Sequence, residues 1–228
     1  MSGQQRYVNS NPDFRQVNAD GDWRIVNSLD VVNAQFPIVP KWRSASIASF
    51  APTYVSVTNS LRRQARSRGA QAWQVTLRYG AMKRATFAPL WAFLTRQGGQ
   101  AGTFTVNLPE FAPRGNAIGT PRIKGAGQTG SSIITDGWNP STMVLRDGDF
   151  IQIEPGTKVY QVTADRTSDG SGNVEIPIYP ALRASPADNA ALTANPLFLM
   201  ALAGDTVEVG WDQCVIVPDF EVSLVEVV

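Results

Sequence analysis

The stretch AWQVTLRYG, residues 72–80, alternates without a break. Trp73, Val75, Leu77 and Tyr79 fall on one side, and Gln74, Thr76 and Arg78 on the other. A period of two predicts a strand with one face in a core. The next stretch changes period. In ATFAPLWAFLTRQGG, residues 85–99, Phe87, Leu90, Trp91 and Leu94 sit at i, i+3, i+4 and i+7. That spacing is the apolar stripe of a helix, expected over about 86–97. Thr86 is in position to cap it, which would put Pro89 in the first turn where proline is tolerated. Gly98 and Gly99 supply the stop. TFTVNL, residues 103–108, then reads as a returning strand. Strand, helix and strand in this order define an α+β block.

Working outward, WRSASIASF (42–50) and TYVSVTNS (53–60) are rich in β-branched and aromatic residues and are separated by Pro52. The second alternates Tyr54, Ser56 and Thr58 with Val55 and Val57, as a half-buried strand does. RRQARSRGAQ reads as a basic loop. Residues 1–40 are polar with scattered apolar anchors, an arm that lies either on a partner or on its own domain. After Pro109 the chain is dense in Gly and Pro, and short strands separated by turn signals follow to about residue 204. PLFLMAL, DTVEVGW and CVIVPDFEVSLVEVV close the chain as strands. In the last, Phe220, Val222 and Leu224 lie opposite Glu221, Ser223 and Val225. These closing strands fit either the second block or the first. In the latter case the all-β block is an insertion.

Composition narrows the chemistry. The chain has 228 residues, one cysteine (Cys214) and no histidine. An intramolecular disulfide is excluded, and so are Ser-His and Cys-His nucleophile systems. Cys214, in an apolar run, reads as a buried inert thiol. No apolar run approaches the roughly 20 residues that span a bilayer. The N-terminus lacks the apolar core of a secretory signal, so synthesis and retention in a cytosol are expected. The net charge of +1 hides a polarised layout. Residues 31–109 hold ten basic residues and no acid, whereas residues 110–228 hold fifteen acids and seven bases. Such asymmetry bears on association.

Four features were weighed as sites. DRTSDGSGN (165–173) resembles a calcium loop, with Asp165, Thr167, Asp169 and Gly170 at the first, third, fifth and sixth positions. Its twelfth position is Ile176 instead of Glu, and both flanks read as strands. No Gly-Lys-Ser/Thr follows, so the phosphate-loop pattern fails as well. It reads as a hairpin turn. Asp147-Gly148-Asp149 reads as a tight turn rather than a carboxylate pair for metal or acid–base work. The basic run with Arg62, Arg63, Arg66 and Arg68 could grip phosphates, but it has no interleaved aromatic residues to stack on bases. A solvated loop, or one facing an acidic neighbour, is the alternative. Trp73, Phe87, Trp91 and Phe93 read as core. No catalytic, cofactor or metal residue is assigned.

One combination is more specific. WQVTLRYG leads into FAPLWAFLTRQGG and then GTFTVNLP. LRDGDFIQI, KVYQVTADRTSDGSGNVEIPIYPALR and a closing apolar strand follow. From about residue 41 to the end this resembles the distal tail proteins of long-tailed bacteriophages. The resemblance implies a mainly β (α+β) fold: a sandwich- or barrel-like ring-forming domain with one helix (41–120 and 205–228), and a small inserted all-β domain (121–204). It implies a structural protein of the tail tip, without catalysis or cofactor. Copies would form a ring of six that joins tail tube to tip or baseplate and lets DNA pass. The expected partners are further copies, the tube protein and other tip proteins, with no membrane. The expected location is the virion, after synthesis in the host cytoplasm. The basic residues would face a neighbouring subunit or the lumen. From the residues alone, an alternative is a carbohydrate- or receptor-binding module, with Trp138 and Tyr179 stacking on sugars.

Overall fold

The computed structural model describes residues 34–211 and 216–227, together with short strands at 15–17 and 23–25. In chain order the first part contains β1 (Arg15–Val17), β2 (Trp23–Ile25), β3 (Ala34–Gln35), β4 (Ser44–Phe50), β5 (Thr53–Val57), β6 (Arg63–Ser67), β7 (Ala72–Tyr79), β8 (Met82–Lys83), α1 (Arg84–Arg96) and β9 (Thr103–Val106). The middle contains β10 (Gly119–Ile123), β11 (Ser132–Trp138), β12 (Met143–Leu145), β13 (Phe150–Ile153), β14 (Val159–Val162), β15 (Arg166–Thr167), β16 (Val174–Tyr179) and β17 (Leu192–Thr193). The chain closes with β18 (Phe198–Leu202), β19 (Ile216–Val217) and β20 (Phe220–Glu226).

The fold is mainly β with one helix, as expected. Two six-stranded sheets carry it. The first has the order β3-β9-β18-β20-β7-β4. Its one parallel contact sets β3 beside β9. The alternation of residues 72–79 works as read: Trp73, Val75, Leu77 and Tyr79 are buried on one face. Phe220, Val222 and Leu224 of β20 lie in register beside them, with Leu224 opposite Val75 and Phe220 opposite Tyr79. The other face is polar, and Arg78 bridges Glu221 at 2.8 Å across the two strands.

α1 covers the apolar face through Phe87, Leu90 and Leu94, with Trp91 half-buried. The Phe87 ring meets Phe220 edge-on at 4.9 Å, and Phe93 meets Phe104 at 5.3 Å. The helix begins earlier than its sequence signals suggest. Lys83, not Thr86, is the N-cap residue and makes no side-chain cap bond. Pro89 therefore falls in the second turn, where a ring in place of N–H removes a helical hydrogen bond. Burial of the stripe outweighs both local defects. Gly98, at φ +64°, ends the helix as the double glycine predicts.

The second sheet has the order β10-β11-β16-β14-β13-β17. A bridge between Arg122 and Ala191 brings its two edges together, so the sheet is nearly a closed barrel. Its core includes Ile123, Ile133, Trp138, Ile151, Val162, Ile176 and Ile178.

Several elements differ from the sequence reading. RRQARSR is not a loop: Arg63–Ser67 is a strand, because it pairs with β5 over five residues. β5 itself is exposed along its whole length rather than half-buried. Residues 205–211 form no strand. Phe198–Leu202, expected within 121–204, pairs with β9 and β20 in the first sheet. Of the arm, residues 34–36 lie on their own domain, with Phe36 buried against Phe93 and Phe104. Residues 1–33 of the arm lie outside the described residues apart from the β1–β2 ladder. Cys214 also lies outside them.

Candidate assembly interface

The β5–β6 hairpin is the feature that the monomer leaves unexplained. It continues the β4–β7 pair beyond the sheet, and its two strands pair only with each other. All ten of its strand residues are exposed. An isolated two-stranded hairpin is marginal in water without a surface to lie on. The registration shows what such a surface must match. Val55 stands opposite Ala65 and Val57 opposite Arg63, while Tyr54 stands opposite Arg66 and Ser56 opposite Gln64. Opposed residues share a face. The aliphatic side chains Val55, Val57 and Ala65 therefore share one face, with Arg63, Thr53 and Ser67 beside them, and the other face carries Tyr54, Ser56, Gln64 and Arg66.

The valines of this face are well exposed, Val55 at 50% and Val57 at 57%, and Leu61 at the tip and Phe50 at the root of the hairpin are exposed too. Arg62, Arg63, Arg66 and Arg68 all lie on this hairpin or at its ends, and all are exposed. Among the described residues none of the four makes an ion pair. Arg68 stacks over the Tyr54 ring at 5.0 Å. The sequence brought these arginines together only as a run. Pairing with β5 spreads them along an extended hairpin.

A second cluster joins the two domains. Lys158 Nζ donates to Glu226 Oε2 at 2.5 Å and to Gln71 Oε1 at 2.6 Å. Glu226 also accepts from the backbone N–H of Trp73 at 3.0 Å and of Val159 at 3.1 Å. Burial pushes the Lys158 ammonium below its usual range, opposed by the hydrogen bond and charge of Glu226, and Arg183 pushes it the same way as burial. Nothing in the composition singled out Lys158. Glu226 had a signal: it continues the phase of Phe220, Val222 and Leu224, which are buried.

The suspected turns are turns. In residues 165–173, Asp169 Oδ1 accepts from Ser171 N and Asn173 N, both at 2.8 Å, and Asn173 Nδ2 donates to Asp169 Oδ2 at 2.8 Å. These bonds hold its carboxyl below the ordinary carboxylate range. The excursion is more than a bare tip, since Arg166–Thr167 pairs with β12. Asp149 is buried and accepts from the backbone N–H groups of Arg146 (2.8 Å) and Arg114 (3.0 Å). It pins the incoming linker to the barrel. Among the described residues no cluster of His, Cys, Asp or Glu is placed to hold a metal ion.

Trp138, offered above as a sugar platform, is 3% exposed, and its Nε1 donates to Thr135 Oγ1 at 2.8 Å. It fills the barrel core and presents no face to a ligand. Tyr179 is exposed. An open cavity of about 500 Å³ lies between residues 153–160 and 182–187, but its aromatic residue, Tyr160, is also buried.

Residues 110–196 match the family model described as distal tail protein pb9, B domain. The resemblance seen in the sequence is thus supported over these residues, which are similar to the B domain of a phage distal tail protein, and the match supports a structural role in a phage tail. No curated protein matches the chain. No described helix is long and apolar enough to cross a membrane.

Proposed function

We propose that the protein is a structural component of the phage tail tip that acts by self-assembly into a closed ring. The ring joins the tail tube to the tip or baseplate and lets DNA pass. The observation that carries this reading is the β5–β6 hairpin, whose valine-bearing face is covered by none of the described residues of its own chain. A second copy is the occupant that the charge layout favours. The basic block that bears the hairpin meets the acidic block of a neighbour, head to tail, and such a heterologous contact closes when the rotation allows. Six copies is the number that the family resemblance implies. The protein acts without catalysis or cofactor, is made in the host cytoplasm and resides in the virion.

Negative-stain microscopy of the purified protein, alone and with the tail-tube protein, tests the reading. Closed rings support it, and monomers under both conditions overturn it. Replacing Arg62, Arg63, Arg66 and Arg68 with Gln separates two uses of the arm. Failed ring assembly assigns the arginines to the subunit contact. Normal rings with failed DNA delivery assign them to the lumen.

A further inference from the structure

The seam between the domains is built from residues far apart in the chain. Lys158 immediately precedes Val159, the first residue of β14 of the barrel, whereas Gln71 immediately precedes β7, Trp73 is its second residue and Glu226 ends β20 in the first sheet. The Lys158 and Glu226 side chains are 7% and 0% exposed. The three donors of the ammonium meet three acceptors: Glu226 Oε2, Gln71 Oε1 and, at 3.4 Å, the Gln71 carbonyl. Each Glu226 oxygen accepts a backbone N–H as well, one from each domain. Trp73 Nε1 closes the loop by donating to the Val159 carbonyl at 2.9 Å. Gln71 is held in turn, with Nε2 on Ser49 Oγ at 3.1 Å.

Apolar contacts also cross this seam. Phe150 of β13 packs edge-on against Trp73 at 5.2 Å and against Phe198 at 5.7 Å. Such contacts attract without fixing direction. A buried ion pair has the opposite character. Desolvation cancels most of its attraction, so it adds little net stability, yet one partner left alone is costly. A fully satisfied polar group therefore rejects any docking that separates its members.

We propose that the Lys158–Glu226 pair, with Gln71 and Trp73, is a registration lock that holds the inserted domain in one orientation on the first sheet. The inserted domain is then a fixed bracket that moves with its parent sheet. It is not an arm swinging on its two linkers. The lock is a property of the single chain and stands whether or not rings form.

The test measures distances in the full-length protein. With Cys214→Ser as background, nitroxide labels are placed at Arg96→Cys on α1 and Glu175→Cys on β16, both exposed sites. The wild-type seam is expected to give one narrow distance peak by double electron–electron resonance. Lys158→Met with Glu226→Leu fills the site with apolar groups and is expected to fold. Its peak should widen at least twofold or split. Glu226→Gln, which strands the lysine charge, should widen it too, and it is the decisive variant if the double replacement fails to fold. A narrow, unshifted peak in the folded variants overturns the lock and leaves the seam to Phe150 and its neighbours.

Discussion

The aliphatic face of the hairpin makes the sharpest prediction. The perturbation is Val55→Asp together with Val57→Asp. Full burial of a valine side chain is worth roughly 1.5–3 kcal/mol. With 50% and 57% of the two residues still accessible in the monomer, docking on a neighbour recovers about 1 kcal/mol from each. Losing both removes about 2 kcal/mol per contact. Placing two carboxylates against the partner adds a desolvation penalty of about the same size or more. Each contact is thus weakened by about 4 kcal/mol, close to a thousandfold in dissociation constant. Since every protomer in a ring makes the contact, assembly should disappear across the micromolar range. The assay is mass photometry over a concentration series, with thermal unfolding of the monomer in parallel. Among the described residues the hairpin strands pair only with each other and are exposed throughout, so monomer stability should shift by less than about 0.5 kcal/mol. Ser56→Asp, on the polar face, serves as the control that still assembles. Rings that persist with wild-type concentration dependence would refute the reasoning, and so would a monomer that melts many degrees early.

Three further outcomes are expected. Phe150→Ala empties a buried site at the seam and should cost about 3–5 kcal/mol in urea unfolding, with both domains melting in one transition. Separate transitions, with the first domain unmoved, would contradict that coupling. Trp138→Ala should lower stability by a similar amount, because the ring fills the barrel core. Glycan-array binding by the intact protein that vanishes on this change, with its melting curve intact, would revive the sugar-binding alternative. Asp169 is held below its ordinary value in the folded protein. Its contribution to loop order is therefore present above the unfolded value and is lost as pH falls through the folded one. Amide exchange in residues 169–173 should accelerate over that acid window in the wild type, and Asp169→Ala should show no such step.

The sequence was most legible where period and burial coincide. Trp73, Val75, Leu77 and Tyr79 announce a buried face, and Phe87, Leu90 and Leu94 announce the helix that covers it. Both signals are local and both elements formed, the helix starting earlier than its capping signals suggest. The hairpin was read half right. Alternation in TYVSV marks a strand with two unlike faces, but it cannot show that both faces are left exposed by the described residues. Arg63–Ser67 has weak strand propensity of its own and takes its form from pairing with β5. The membership of β18 was hidden for a different reason. Its partners β9 and β20 are separated from it by long stretches of chain, and an unbroken apolar run does not say which sheet it enters. Of the seam pair, Glu226 was legible by phase alone, while Lys158 becomes meaningful only when the two ends of the chain meet it.

The insertion leaves and rejoins the first sheet at one place. Val106, the last residue of β9, stands opposite Phe198, the first of β18. In strand order the barrel therefore occupies the position of a hairpin loop between two neighbouring strands. The parent domain would keep its full ladder if those ends were joined by a short turn, provided Glu226 and the surface around Trp73 were made apolar or polar to suit. A protein built on this plan can exchange its second domain by swapping one contiguous cassette, while the sheet, the helix and the hairpin of the first domain stay as they are.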